Sequence, residues 1–276
     1  MLQVRNLTKT FPGVRALDNV SLDVIAGTVH AVMGENGAGK STLMKIVAGL
    51  EKPDSGEVHC NGRVAMIHQE LTPFRELSVA ENIFMGQHPT RGFGWVDKRA
   101  MRREAARLLQ QLGVPLEPSR PVRTLGFAQM QIVEIAKALA RRADLIIMDE
   151  PTSAISEREA GALFNIIAGL KQRGATIIYV SHNIEEVFRI ADTVTVLRDG
   201  RHVATLPARQ LDESKLIGLM VGREPAVAAV DAAAPSRGGE VALEVRHLTR
   251  RNKFRDVSFA VRRGEILGMA GLIGAG

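Results

Sequence analysis

Short apolar runs alternate along this chain with stretches whose apolar residues recur every three or four positions. Val29–Met33, Leu145–Met148, Ile177–Val180 and Val194–Leu197 read as buried strands. Asp97 is placed to cap a helix whose residues Met101, Ala105, Leu108, Leu109 and Leu112 share one face, and Gln131 to Ala140 is a second amphipathic candidate. Strands that alternate with helices predict a parallel sheet flanked by helices, and so an α/β fold. Both helices fall between the first and second strands in that series. A helical subdomain at about residues 71–143 is therefore expected as an insertion in the α/β core.

The pattern also repeats. Residues 2–9 (LQVRNLTK) match residues 243–250 (LEVRHLTR), and Asn19–Gly39 matches Asp256–Gly276. The segment between the copies is rich in Ala, Pro and Gly and reads as a linker. The expected organisation is one nearly complete domain at 1–222, a linker at 223–240, and the opening of a second copy at 241–276.

Composition narrows the class. Of the 276 residues, 45% are hydrophobic and 24% charged, a balance that supports a sizeable core. Aromatics are only 4%, so that core is expected to consist mainly of Ala, Val, Ile and Leu. No apolar run approaches the roughly 18 residues of a spanning helix. The N-terminus MLQVRNLTKTF lacks the apolar stretch of a secretion signal, so membrane contact is expected to go through a partner. Cys60 is the only cysteine, which excludes an internal disulfide and a thiolate metal cage and fits a reducing cytosol. The formal charge of +6 comes from Lys and Arg scattered in short pairs such as Arg102-Arg103 and Arg262-Arg263. With no basic block, nucleic acid is not expected as a partner.

The chemistry begins at Gly34-Glu35-Asn36-Gly37-Ala38-Gly39-Lys40-Ser41, which fits G-x-x-x-x-G-K-[ST] after a predicted strand and before a predicted helix. Glycines let the backbone curl so that successive N–H groups point at phosphate oxygens, and the start of the following helix adds positive partial charge. Lys40 would reach the β- and γ-phosphates, and Ser41 would ligate magnesium. The plainer alternative is a glycine-rich turn. Leu145–Glu150 ends a buried strand in two carboxylates, at the sheet edge where nucleotides bind. Asp149 would hold magnesium and Glu150 would polarise the attacking water; alternatively the pair caps the turn at Pro151-Thr152. His182 also follows a strand end and is placed to meet a γ-phosphate. Gln69, after Ala65–His68, is placed to contact the metal. A lone His or Gln carries little weight by itself.

Taken in order, these pieces resemble the ATP-binding-cassette family over residues 1–222. The loop 34–42, which includes Thr42, Gln69, Leu125–Gln129, the strand 145–150, Ser153-Ala154 and His182 match that family's motifs in order. The resemblance implies a P-loop NTPase fold with a RecA-like parallel sheet, an N-terminal antiparallel β part and an inserted helical subdomain. It also implies that Phe11 stacks on adenine. GENGAGKSTLMKI, AMIHQEL, LSVAENIFMG, QIVEIAKALA and IIMDEPTSAISERE look like the tandem-domain ATPases of bacterial monosaccharide importers of the ribose, galactose, xylose and arabinose type. That narrower likeness implies ATP and Mg2+ as cofactors and membrane permease subunits as partners. It further implies a periplasmic sugar-binding protein acting indirectly, and a peripheral place on the cytoplasmic face of the inner membrane.

In this family two cassettes pair head to tail, each ATP lying between one phosphate loop and the other domain's signature. The matching segment, Leu125-Gly126-Phe127-Ala128-Gln129, departs from the LSGGQ pattern: Gly126 stands in place of a serine and Ala128 in place of a glycine. Loss of one charge-assisted hydrogen bond costs about 1.5–3 kcal/mol, so the site built on this segment is expected to be weak. Two other departures are the short path from Asn61-Gly62 to Met66, which leaves the packing of the Gln69 strand open, and Ser156 in place of a more common Thr or Asp. Competing expectations are a soluble cassette ATPase acting on nucleic acid or ribosomes, and an ATP-binding module without turnover.

Overall fold

The computed structural model describes residues 1–91, 94–222, 239–251 and 253–270. The chain divides into two compact units, Met1–Pro225 and Ala226–Gly276.

In the first unit, β1 (Leu2–Phe11), β2 (Val14–Val24) and β4 (Ser55–Cys60) form an antiparallel sheet in the order β2-β1-β4. The second sheet contains β3 (Val29–Met33), β5 (Val64–Ile67), β6 (Leu145–Asp149), β7 (Thr176–Val180), β8 (Thr193–Arg198) and β9 (Arg201–Pro207). Its order is β5-β6-β7-β3-β8-β9, parallel throughout except for β9.

Alternate residues of the central strands feed two separate cores. Ala31, Ile146, Met148, Ile177 and Tyr179 face one; Val32, Leu145, Ile147, Ile178 and Val180 face the other. A strand covered on both sides has no position where a polar residue is cheap, which is why these runs read as continuously apolar. The first core is shared with α2 (Val79–Ile83), α3 (Lys98–Gln111), α4 (Phe127–Ala140), α5 (Glu157–Gln172), α6 (Ile184–Ile190) and α7 (Glu213–Val221). The second lies between the two sheets and takes in α1 (Lys40–Val47).

The helices start where local chemistry allows. Asp97 accepts from the amides of Arg99 and Ala100 and caps α3, whose Met101, Ala105, Leu108 and Leu109 are buried as the periodicity predicts. Ser156 opens α5 with a reciprocal bond pair to Glu159, so serine at that position has a structural role of its own. The second predicted helix begins at Phe127 rather than Gln131. Phe127, Ala128 and Met130 are only partly buried against the core, so the first turn lacks the full apolar stripe that periodicity detects.

The short path after β4 is accommodated by Gly62. Its φ is +136°, and a Cβ there would lie 2.7 Å from the Cβ of Asp144, whose carboxylate accepts from the Arg63 amide at 2.8 Å. This turn drops β5 straight into parallel register with β6, from Val64 opposite Leu145 to Ile67 opposite Met148.

The second unit repeats the β1–β2 hairpin as β10 (Val241–Arg250) and β11 (Phe254–Arg262). Asn6 and His247 both take left-handed backbones, with φ of 51° and 52°, as do Asn19 and Asp256 at 54° and 56°. The Asn6 and His247 amides donate to Ser21 and Ser258 at 2.8 and 2.9 Å. The Asn19 and Asp256 amides donate to Thr8 and Thr249 at 3.2 and 2.9 Å. Residues 265–270 match β3 in sequence yet form no strand. β3 owes its geometry to ladders with β7 and β8, and 265–270 have no such neighbour among the described residues. Most of the linker predicted at 223–240 and the glycine-rich stretch 271–276 lie outside the described residues.

His30 is a buried histidine within β3, 1% exposed, bonded through Nε2 to Thr195 Oγ1 at 2.7 Å. Burial pushes its pKa down to about 4. Between pH 6.5 and 4 the unfolded chain binds one more proton here than the folded chain, so stability rises with pH across that window. Unfolding free energy measured in urea is expected to fall by roughly 3 kcal/mol from this residue as pH drops from 6.5 to 4, and His30→Gln is expected to flatten that slope. An unchanged slope would remove His30 as its origin.

Candidate functional site

The loop from Gly34 to Gly39 leaves β3 at its carboxyl end and turns into α1. Two of its glycines are sterically required. A Cβ on Gly34 would stand 2.2 Å from the Leu197 carbonyl, and one on Gly39, at φ +94°, would stand 2.4 Å from the Ala16 carbonyl. The loop is therefore wedged between β8 and β2, which fixes its curl.

Lys40 is only 6% exposed and donates from Nζ to the carbonyls of Gly34 at 2.7 Å and Glu35 at 3.0 Å. Burial lowers its pKa, while the charges of Glu150 and Asp149 work the other way. At the end of β6, Asp149 is 6% exposed and accepts from Ser41 Oγ at 3.4 Å. Burial raises the Asp149 pKa against the pull of Ser41, and the neighbouring Glu150 charge adds to the rise. Lys40 and Asp149 are each kept in place at some cost to their charged forms. A group of the opposite charge at either one would relieve that cost.

Glu150 sits just beyond the strand with φ of 46°, a left-handed backbone rare outside glycine, held by a bond from its amide to the Val180 carbonyl at 3.0 Å. Its Oε1 lies 3.2 Å from Nδ1 of His182, which follows β7. Strained backbone beside converging titratable groups is a mark of functional sites.

A cleft of about 550 Å³ gathers most of the sequence-predicted residues: Phe11, Asn36, Gly37, Gly39, Lys40, Ser41, Thr42, Gln69 and Glu150. Gly34 and Glu35 touch it through the Lys40 ammonium, Asp149 through Ser41, and His182 through Glu150. Ala38 packs into the core beneath the loop, 4% exposed. Leu125–Gln129 is not brought to this cleft. Gly126 precedes α4, Leu125 is buried, and Ala128 and Gln129 line a groove between α4 and α5 with Ile155 and Leu163.

Sequence reasoning missed Val14 and Ala16, which form the wall beside Phe11. Nothing in their spacing marks them, because the hairpin that carries them is placed by tertiary packing. It also missed Glu186, whose contacts are described below; the only signal was its place four residues after His182.

Chemically, the cleft offers backbone amides and an ammonium for an anion, hard oxygen donors in Ser41 and Asp149 for a small divalent cation, and a carboxylate base at Glu150. Comparison with known proteins agrees in kind. The family model described as "ABC transporter" matches residues 17–153. A protein from Rubrobacter xylanophilus named as a ribose import ATP-binding protein is 49% identical over 290 residues, covering the whole of this chain and 58% of that relative. A galactose/methyl galactoside import ATP-binding protein of Salmonella typhimurium is 44% identical, with 57% of its length covered. The chain thus spans a little over half the length of these relatives. Among solved structures, an ATP-binding cassette of an ABC transporter in its ADP conformation superposes with a TM-score of 0.69 at 26% identity, covering 81% of this chain and 99% of that one. A dimeric cassette bound to ADP and Pi shares the fold, with a TM-score of 0.67 at 24% identity, covering 76% of this chain and 99% of that one.

The wedge geometry separates two glycines of the loop. Gly39→Ala is expected to lower the urea unfolding free energy by about 1–3 kcal/mol plus the cost of moving the Ala16 carbonyl. Gly37→Ala, with no atom within 4 Å of its Cβ at φ +85°, is expected to cost only about 1–2 kcal/mol for its backbone. Equal losses at the two positions would discount the wedge.

Proposed function

Because this chain belongs to the ABC transporter family of ATP-binding cassettes, we propose that it binds ATP with magnesium and hydrolyses it to drive a membrane importer, with a monosaccharide as cargo. One observation carries this reading: Lys40, Ser41, Thr42, Gln69 and Glu150 share a single cleft, with Asp149 bonded at its base.

In this reading Lys40 exchanges the Gly34 and Glu35 carbonyls for β- and γ-phosphate oxygens, and the amides of the glycine loop and the first turn of α1 meet the rest. Phe11 stacks on the adenine, with Val14 extending the apolar wall. Ser41, Asp149 and Gln69 present oxygen atoms suited to magnesium, which keeps several waters and takes few protein ligands. When bound, the ion neutralises charge on the phosphate oxygens. Glu150 takes a proton from the attacking water, and His182, in contact with that carboxylate, would bond the γ-phosphate.

The partners follow from the same premise. No helix among the described residues is long and apolar enough to cross a membrane, so a permease subunit would supply the membrane contact and hold the chain at the cytoplasmic face of the inner membrane. A periplasmic sugar-binding protein would act through that permease. Leu125–Gln129 stands outside the chain's own cleft, which supports its serving the nucleotide of a second cassette in head-to-tail pairing. Gly126 brings no hydroxyl to that task. The domain limits 1–222, 223–240 and 241–276, with a helical part near 71–143, belong to this proposal; the repeated hairpin supports a second cassette beginning near 241.

Lys40→Ala is expected to weaken binding of a fluorescent ATP analogue about 100-fold or more, since the buried cation is the main charge on the phosphates. Glu150→Gln is expected to keep that binding and lose roughly 10²–10⁴-fold in phosphate release. Undiminished turnover by Glu150→Gln would refute the base assignment.

A further inference from the structure

Beside the cleft, one carboxylate collects four polar donors from three elements. Glu186 Oε2 accepts from the hydroxyls of Thr152 at 2.8 Å, Tyr179 at 2.8 Å and Ser181 at 3.2 Å. Its Oε1 accepts from Asn183 Nδ2 at 3.3 Å. Thr152 lies two residues beyond Glu150, Ser181 and Asn183 flank His182, and Tyr179 is fully buried on β7. The contact between Glu150 and His182 closes the circuit.

We propose that Glu186 is a positioning residue for the hydrolytic reaction: its carboxylate ties the loop after β6 to the loop after β7 and so sets where Glu150 and His182 stand relative to one another. This rests on the reading of Glu150 as the base. Local helix chemistry does not account for the arrangement. An acid in the first turn of a helix ordinarily returns to the amide of the capping residue. Here the Asn183 amide is taken by Ser181 Oγ at 2.9 Å, and the Glu186 carboxylate reaches away from its own helix, to β7 and the β6 loop.

An ionised carboxylate suits the task because it accepts only. One of its oxygens takes three hydroxyl protons at once, and the bonds are strengthened by its charge. Burial and the nearby Glu186 charge push the Tyr179 hydroxyl up, which keeps it a donor. A glutamine would keep one oxygen for the three hydroxyls but without the charge that strengthens their bonds, and its amide would meet Asn183 Nδ2 donor to donor. The anchor that Thr152 and Ser181 share would then weaken, and the two loops would be held less firmly to one another.

The test measures ATP turnover, ATP affinity and the imidazole resonances of His182 in histidine-labelled full chain, the last assigned with His182→Gln. Glu186→Gln and Thr152→Val are each expected to lower kcat about fivefold or more, with KM and Kd for ATP within about twofold. Both are expected to shift the His182 resonances in the absence of nucleotide. The double variant is expected to lose no more than the worse single one, and Thr152→Ser, which keeps the hydroxyl, to restore the rate. Unmoved His182 resonances, or losses that multiply in the double variant, would overturn the proposal. Failure of the underlying reading shows separately, as Glu150→Gln turning over normally or the parent chain not turning over at all; the resonances then decide the tether alone.

Discussion

The register of the parallel ladder governs everything at the cleft. Val32 on β3, Val180 on β7 and Asp149 on β6 lie in one row across the sheet. Their strands end together, so the glycine loop, the His182 loop and the acidic pair all emerge at one edge. β5 joins from the far side, with Ile67 level with Met148, and delivers Gln69 to the same place. Neighbouring parallel strands ending on one edge make the crevice where ligands bind in such sheets. A slip of one residue at any of these ladders would exchange the side chains that face the two cores and move a loop along the edge by one residue.

What the ladder gathers is electrically uneasy. Lys40 and Asp149 are nearly sealed from solvent, burial opposes the charge on both, and Glu150 adds a second negative charge on a left-handed backbone. The surrounding structure tolerates this because each strained group has a specific partner: carbonyls for the ammonium, a hydroxyl for Asp149, a backbone bond and His182 for Glu150. Among the described residues no buried side-chain polar atom lacks a partner. The cleft is held by over-determination, which is what a strained functional site requires.

Much of this was legible in the sequence, for identifiable reasons. The central strands announced themselves because both faces are buried. The glycine loop and the Asp149-Glu150 pair did so because their chemistry tolerates few alternatives at Gly34, Gly39 and Lys40. The capping role of Asp97 was readable because it is settled within four residues of chain. What stayed hidden depends on distant partners. The first turn of α4 is only partly covered, β5 needed the Gly62 turn against Asp144, and Glu186 draws on Thr152, 34 residues earlier. Residues 265–270 show the converse: a sequence that matches β3, with no neighbouring strand among the described residues, forms no strand.

The repeated hairpin bears on the order in which the molecule assembles. Its two left-handed residues and its serine and threonine anchors recur in β10–β11 without a parallel sheet among that unit's described elements, so this piece of structure is written locally. The central ladder is not: the Gly27 amide finds Thr176 Oγ1 across 149 residues of chain. Closing so long a loop is slow and entropically costly until the intervening helices have condensed, whereas a hairpin closes in about 1–10 μs. During refolding, amide protection is therefore expected to appear first in β1–β2 and last where β3 meets β7, which makes the edge that carries the cleft the final part of the protein to exist.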